Sequence, residues 1–368
     1  MKERIKYLDH LKCLAIIVML YGHLVGAGTF EHNIVPVVKF PLEETLIPFG
    51  THALGGLDTL LHTVHTSSAR GLGTTLFFIV SGYLGARSRK NKGTLNYAVD
   101  KIIRIWSAFI PCVLVYTLFL GISQDYWFKL PNELATLTLT YRMFDIEATT
   151  GVVWFLAVVV TFYIVLLPFK NISKENIYTL YAVALLLMIT SNYYAGNKIL
   201  KIYAFDMKYV CFMITGSMLY VCERDKDNIK TFLTNVLTSI GLTLVCMRGN
   251  MLLNGDPTLD YTVGTFAVTY TIYAVYYLIE LKRPSILNFG SKAAEFISNM
   301  AMPIYLLHVP LGLGGMYLVK YKFHLRNSYL ILLCGVVLSL LSAYLIHKYV
   351  EIPAQEFLRK KWAKLGYK

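Results

Sequence analysis

Lys12 and His23 are the residues whose types and spacing point most directly to chemistry. Both lie in an apolar run, Tyr7–Gly28 (YLDHLKCLAIIVMLYGHLVGAG), long enough to cross a bilayer. An ionisable side chain at membrane depth is costly, and is read as functional by default. Eleven residues separate the two, close to three full turns of an α-helix, so they share one face about 16 Å apart along the axis. His23 suits a general base, because imidazole titrates near neutral pH. Asp9, three residues before Lys12, is placed to pair with it. The competing reading makes His23 a packed, hydrogen-bonded membrane histidine; the aligned Lys12 favours function.

Further polar groups recur at the edges of other apolar stretches. Gly71–Arg89 (GLGTTLFFIVSGYLGARSR) places Arg87 and Arg89 at its end, and Arg104 follows in KIIRIW. Arginines there can grip phosphates through two N–H bonds, although on the cluster alone ordinary positive-inside anchoring is the favoured reading. Trp154, at the start of GVVWFLAVVVTFYIVLLP, fits an interfacial aromatic. In AMPIYLLHVP, Pro303 and Pro310 bracket His308, which predicts a distorted helix whose freed carbonyls need other partners. His308 reads either as a second site histidine or as a packed one. Glu351, followed by Pro353, is placed to neutralise a cytosolic arginine.

The elements that must position these groups are membrane helices. Of the 368 residues 56% are hydrophobic and only 15% charged, more apolar surface than a soluble domain can hide. The expectation is an all-α, polytopic transmembrane helix bundle forming one domain over residues 1–368. About ten spans are predicted, near 8–28, 72–86, 97–122, 152–169, 176–195, 207–222, 231–248, 261–281, 300–319 and 328–350. Lys and Arg favour one side of this arrangement by roughly two to one, which puts both termini in the cytosol. The net charge of +13 therefore reports membrane orientation and does not call for nucleic acid. Six scattered cysteines without CxxC spacing read as small core hydrophobes. Phe30–Gly71 forms the longest outer loop, where His52, Asp58, His62 and His65 offer only a weak metal pattern; no metal is expected. The tail Ala354–Lys368 reads as a basic helix on the anionic inner leaflet.

Taken in order, these motifs resemble the acyltransferase-3 family of bacterial membrane acyltransferases. The resemblance rests on Tyr7-Leu8-Asp9 with Lys12 and His23, FFIVSGYL at Phe77–Leu84, and Arg87-Ser88-Arg89. It continues through Trp154-Phe155-Leu156, Ile304-Tyr305-Leu306-Leu307-His308, and Glu351 with Pro353. It implies transfer of an acyl group, most often acetyl from acetyl-CoA, to a hydroxyl of an extracytoplasmic carbohydrate or polysaccharide, in the cell membrane. On that basis His23, Lys12 and Asp9 are assigned to catalysis, and Arg87, Arg89 and Arg104 to the coenzyme A phosphates. Trp154, His308 and Glu351 are assigned to substrate binding. Two departures mark a distinct branch: Lys12 stands where an arginine is common, and AVVV follows the Trp154 motif where many members carry a glutamate. The rival from another class is a transporter or flippase for a glycan or lipid-linked intermediate, but no inverted repeat supports it.

Overall fold

A computed structural model describes residues 4–27, 71–194, 196–254 and 262–365. Every regular element among the described residues is helical. The four residues of the weak metal pattern lie outside the described residues.

The chain divides into two compact units. The first draws its described residues from Met1–Gly73, Ile103–Val153 and Thr271–Leu365. It opens with α1 (Lys6–Leu20), built from an apolar run without a breaker, and passes into a π-helical turn at Tyr21–Ala27, where Gly22 and Gly26 loosen the backbone. The unit also takes the greater part of α3 (Thr94–Gln124) and all of α4 (Leu130–Leu137). It continues with α10 (Ser291–Asn299) and α11 (Ala301–Leu307), then a second π-turn at His308–Leu313. Next come α12 (Gly314–Tyr321) and α13 (Ser328–Ile346), and a third π-turn at His347–Glu351 leads into α14 (Ile352–Lys364). Asn327 starts α13 cleanly, its Oδ1 accepting from the Tyr329 and Leu330 amides at 3.1 Å each.

Within this unit α1 packs against α10 and α11, and the first π-turn packs against the second and against α13. Leu8, Leu11, Ala15, Ile16, Leu24 and Ile304 are buried in that contact. The approach is close because Gly312 has no side chain. A Cβ there would fall 2.5 Å from Ser339 Oγ and 2.8 Å from Leu24 Cδ2, inside van der Waals contact with α13 and the first π-turn. On the other side of α13, Leu333, Val337, Leu341 and Leu345 are exposed at a four-residue repeat. An uninterrupted apolar stripe of this kind is what a lipid-facing helix presents.

The second unit holds α2 (Leu72–Arg89) from Thr74 onward, the start of α3, and α5 (Val153–Val165) from Trp154 onward. It also holds α6 (Lys174–Tyr193), α7 (Lys198–Arg224), α8 (Ile229–Asn254) and the first part of α9 (Thr262–Lys282). Ser173 and Asn176 cap α6 reciprocally, side chain to backbone in both directions. Helices α2 and α7 cross through glycines: a Cβ on Gly82 would strike the Met213 backbone, and one on Gly216 the Ile79 carbonyl. Deeper in, the Tyr181 hydroxyl joins Thr215 (2.9 Å), Ser239 (2.6 Å) and Thr243 (3.0 Å), so buried hydroxyls tie α6, α7 and α8 together.

A described helix falls in each of the ten stretches expected to span. Five are long and apolar enough to cross a membrane on length and composition: Lys6–Val25, Thr94–Ser123, Ile229–Gly249, Ala301–Tyr321 and Tyr329–Lys364. The shortfall has physical causes. Helix α5 has only 13 residues, and α7 carries Asp206 and Lys208, both buried, within its apolar length.

Candidate active site

The two histidines singled out from the sequence meet. His23 lies on the first π-turn and His308 is the first residue of the second. His23 Nδ1 is 2.7 Å from His308 Nε2, with the ring centroids 4.8 Å apart and 29° between planes. Such widened turns occur preferentially at functional sites. The expected distortion between Pro303 and Pro310 is present: α11 ends at Leu307 and the chain continues as a π-turn. His308 is fully buried, and its Nδ1 lies 2.7 Å from the Tyr305 carbonyl and 3.2 Å from that of Ile304. Tyr305 is fixed in turn, its hydroxyl donating to the Val152 carbonyl at 2.9 Å.

Asp9 pairs differently from the sequence expectation. Its Oδ2 accepts from Arg4 Nε at 2.5 Å and its Oδ1 from Ser298 Oγ at 2.7 Å. Arg4 also reaches Asn299 Oδ1 at 3.0 Å and Glu295 Oε1 at 3.1 Å. The carboxylate thus ties the start of α1 to α10, and Lys12 makes no ion pair among the described residues. The charges of Arg104, Asp9 and Arg4 all bear on the Lys12 ammonium, that of Arg104 most. Lys12 is half-buried and Arg104 exposed; Arg104 likewise makes no ion pair among the described residues. Two such cations repel each other and favour an anion.

Glu351 is buried, and its partners are His347 at 2.7 Å and Gln355 at 3.0 Å. The expected arginine is not among them, because the third π-turn brings His347 of its own helix within reach first. All of these groups, Asp9, Lys12, His23, Arg104, His308 and Glu351, belong to the first unit.

Arg87, Arg89 and Trp154 belong to the second. Arg89 is almost fully buried. Its guanidinium donates to the carbonyls of Leu166 (3.3 Å), Leu167 (3.0 Å) and Lys92, and to Thr94 Oγ1 (3.1 Å). It closes the carbonyls that the end of α5 leaves without helical partners, a structural task that differs from the phosphate grip expected of it. Arg87 lies where its charge bears on Tyr220. Trp154 packs among Tyr209 (5.1 Å between centroids), Phe155 (6.3 Å) and Phe78 (6.4 Å), inside an aromatic cluster of this unit.

The family model described as an acyltransferase domain, acyltransferase-3, matches residues 5–348. The chain belongs to the acyltransferase-3 family. No curated protein and no solved structure matches the chain. As an acyltransferase-3 member this is an acyltransferase, and its described helices include five long and apolar enough to cross a membrane. Sequence reasoning named Asp9, Lys12, His23, Arg104, His308 and Glu351 but not Ser298 or His347, and it missed the pairing of His23 with His308, Asp9 with Arg4 and Ser298, and Glu351 with His347. Pro310, two residues after His308, was the one usable signal: it marks carbonyls without a helical donor.

Proposed function

We propose that this acyltransferase moves an acyl group, acetyl in the first instance, from a coenzyme A thioester supplied at the cytosolic face to a hydroxyl of an extracytoplasmic carbohydrate or polysaccharide. The observation that carries the reading is the pairing of His23 with the buried His308, in the same unit as Lys12 and Arg104, two cations that make no ion pair among the described residues. Lys12 and Arg104 would hold donor phosphates, which are doubly suited to two uncompensated cations. Arg87 stays assigned to the donor on sequence grounds alone. From Lys12 the first helix rises about 16 Å to His23, comparable with the reach of a pantetheine arm, so the thioester can meet the base within the membrane.

A thioester is already activated, so the protein must mainly orient the acceptor hydroxyl and take its proton. In the transfer step the hydroxyl oxygen bonds to the thioester carbonyl carbon and its proton passes to His23. The carbon–sulfur bond then breaks, and the thiolate leaves as the free thiol by taking the proton back. His23 ends as it began. In this reading the termini are cytosolic and the outer face of the cell membrane meets the glycan. The test is purified protein in lipid nanodiscs given labelled acetyl-CoA and the surface glycan of the source cell. Time-dependent label on glycan hydroxyls is expected; protein that binds donor and never transfers or hydrolyses it would overturn the proposal.

A further inference from the structure

His308 accounts for every polar atom on its ring, and this fixes where the protons lie. A backbone carbonyl only accepts, so the 2.7 Å contact to Tyr305 requires a proton on His308 Nδ1. The ring is fully buried and touches no carboxylate among the described residues. A doubly protonated imidazole there would be an uncompensated buried charge, costing several kcal/mol. The ring is therefore neutral and its Nε2 carries a lone pair. At 2.7 Å from that lone pair, His23 Nδ1 must be the donor. The neutral ring of His23 then has its own lone pair on Nε2.

The backbone explains why His308 is so firmly set. Residue 310 is proline and has no N–H, so the turn before it lacks one backbone donor, and the His308 side chain donates to the Tyr305 carbonyl three residues back. Tyr305 is anchored by its hydroxyl to Val152, and Gly312 lets the turn close on Leu24, the neighbour of His23. The sequence YLLHVP thus encodes a histidine held by its own helix.

We infer that His308 is the positioning residue of the reaction, holding His23 in the Nδ1–H tautomer so that Nε2 is the atom that takes the acceptor's proton. This rests on the acyl-transfer reading above, in which His23 is the base. The order of events is balanced at one atom: the proton leaves the acceptor oxygen for His23 Nε2 and passes from there to the departing sulfur. His308 stays neutral throughout and accepts the shared hydrogen bond, which strengthens when His23 becomes cationic.

The test is nitrogen NMR of histidine-labelled full-length protein in lipid bilayers, with His23 assigned by its loss in His23→Gln. The wild-type spectrum, at a pH where the ring is neutral, should show His23 protonated at Nδ1 and bare at Nε2. In His308→Leu the bias should vanish and kcat should fall by about tenfold or more, part of what a base contributes, while donor KM stays put. His308→Gln returns an acceptor oxygen near the former Nε2 and should restore both the tautomer and most of kcat. A wild-type His23 carrying its proton on Nε2 overturns the inference without any variant, as does an unchanged spectrum in His308→Leu. A spectrum as expected in a protein that transfers no acetyl would leave the proton placement standing and remove the acyl-transfer reading instead.

Discussion

Asp9 and Arg4 form an ion pair at 2.5 Å, which leaves Lys12 without a carboxylate partner among the described residues. Had Asp9 paired with Lys12, that ammonium would be engaged by a carboxylate when a donor arrived. Because Arg4 takes that place, Lys12 keeps its ammonium out of an ion pair among the described residues, with the charge of Arg104 bearing on it.

Removing either cation should therefore weaken donor binding and spare the fold. A charge-assisted bond to phosphate is worth about 1.5–3 kcal/mol, so Lys12→Ala or Arg104→Ala should raise the KM for acyl-CoA by about 10- to 150-fold. Lys12→Arg, which keeps the charge, should recover most of it. Steady-state kinetics against donor concentration decides the matter, and an unchanged KM in both alanine variants would take these residues out of the donor site.

Asp9 should behave oppositely. Its side chain is largely buried and bonded to Arg4 and Ser298. Asp9→Asn should cost about 1–3 kcal/mol of stability, seen as an earlier thermal transition, while the folded fraction keeps its kcat. A stable Asn variant with abolished turnover would return Asp9 to the chemistry.

Arg89 is expected to matter before any substrate arrives. Four donations to protein acceptors and near-complete burial mean that Arg89→Ala removes four hydrogen bonds at once and empties a buried site, which is strongly destabilising. The variant should give little folded protein in detergent-based size exclusion and thermal assays. If it folds normally and shows only a raised donor KM, the phosphate grip expected from the sequence is the better description.

Much of this was legible in the sequence, for identifiable reasons. Apolar runs of spanning length are a one-dimensional signal, and each expected stretch contains a helix. Pro310 announced the broken register at His308 because a missing N–H is a property of the residue itself. What the sequence could not carry was pairing. Whether His308 faces His23, 285 positions away, depends on how α11, α13 and the first π-turn close around Gly312. Whether Asp9 turns toward Lys12 or Arg4 depends on where Ser298 and Asn299 arrive from α10. Arginines near a helix end look alike in sequence; burial separates Arg89, whose donors are spent on α5, from the exposed Arg104.

The measurement that bears most directly on the central claim compares His23→Ala and His23→Gln for acetyl transfer at neutral pH, with donor binding followed in parallel. Glutamine keeps a hydrogen bond to His308 but takes up no proton near pH 7. A general base contributes about 10²–10⁴ in rate, so both variants should bind coenzyme A as the wild type does and lose nearly all transfer, Gln no better than Ala. A Gln variant acylating glycan at the wild-type rate would contradict the account and leave His23 as a packing residue.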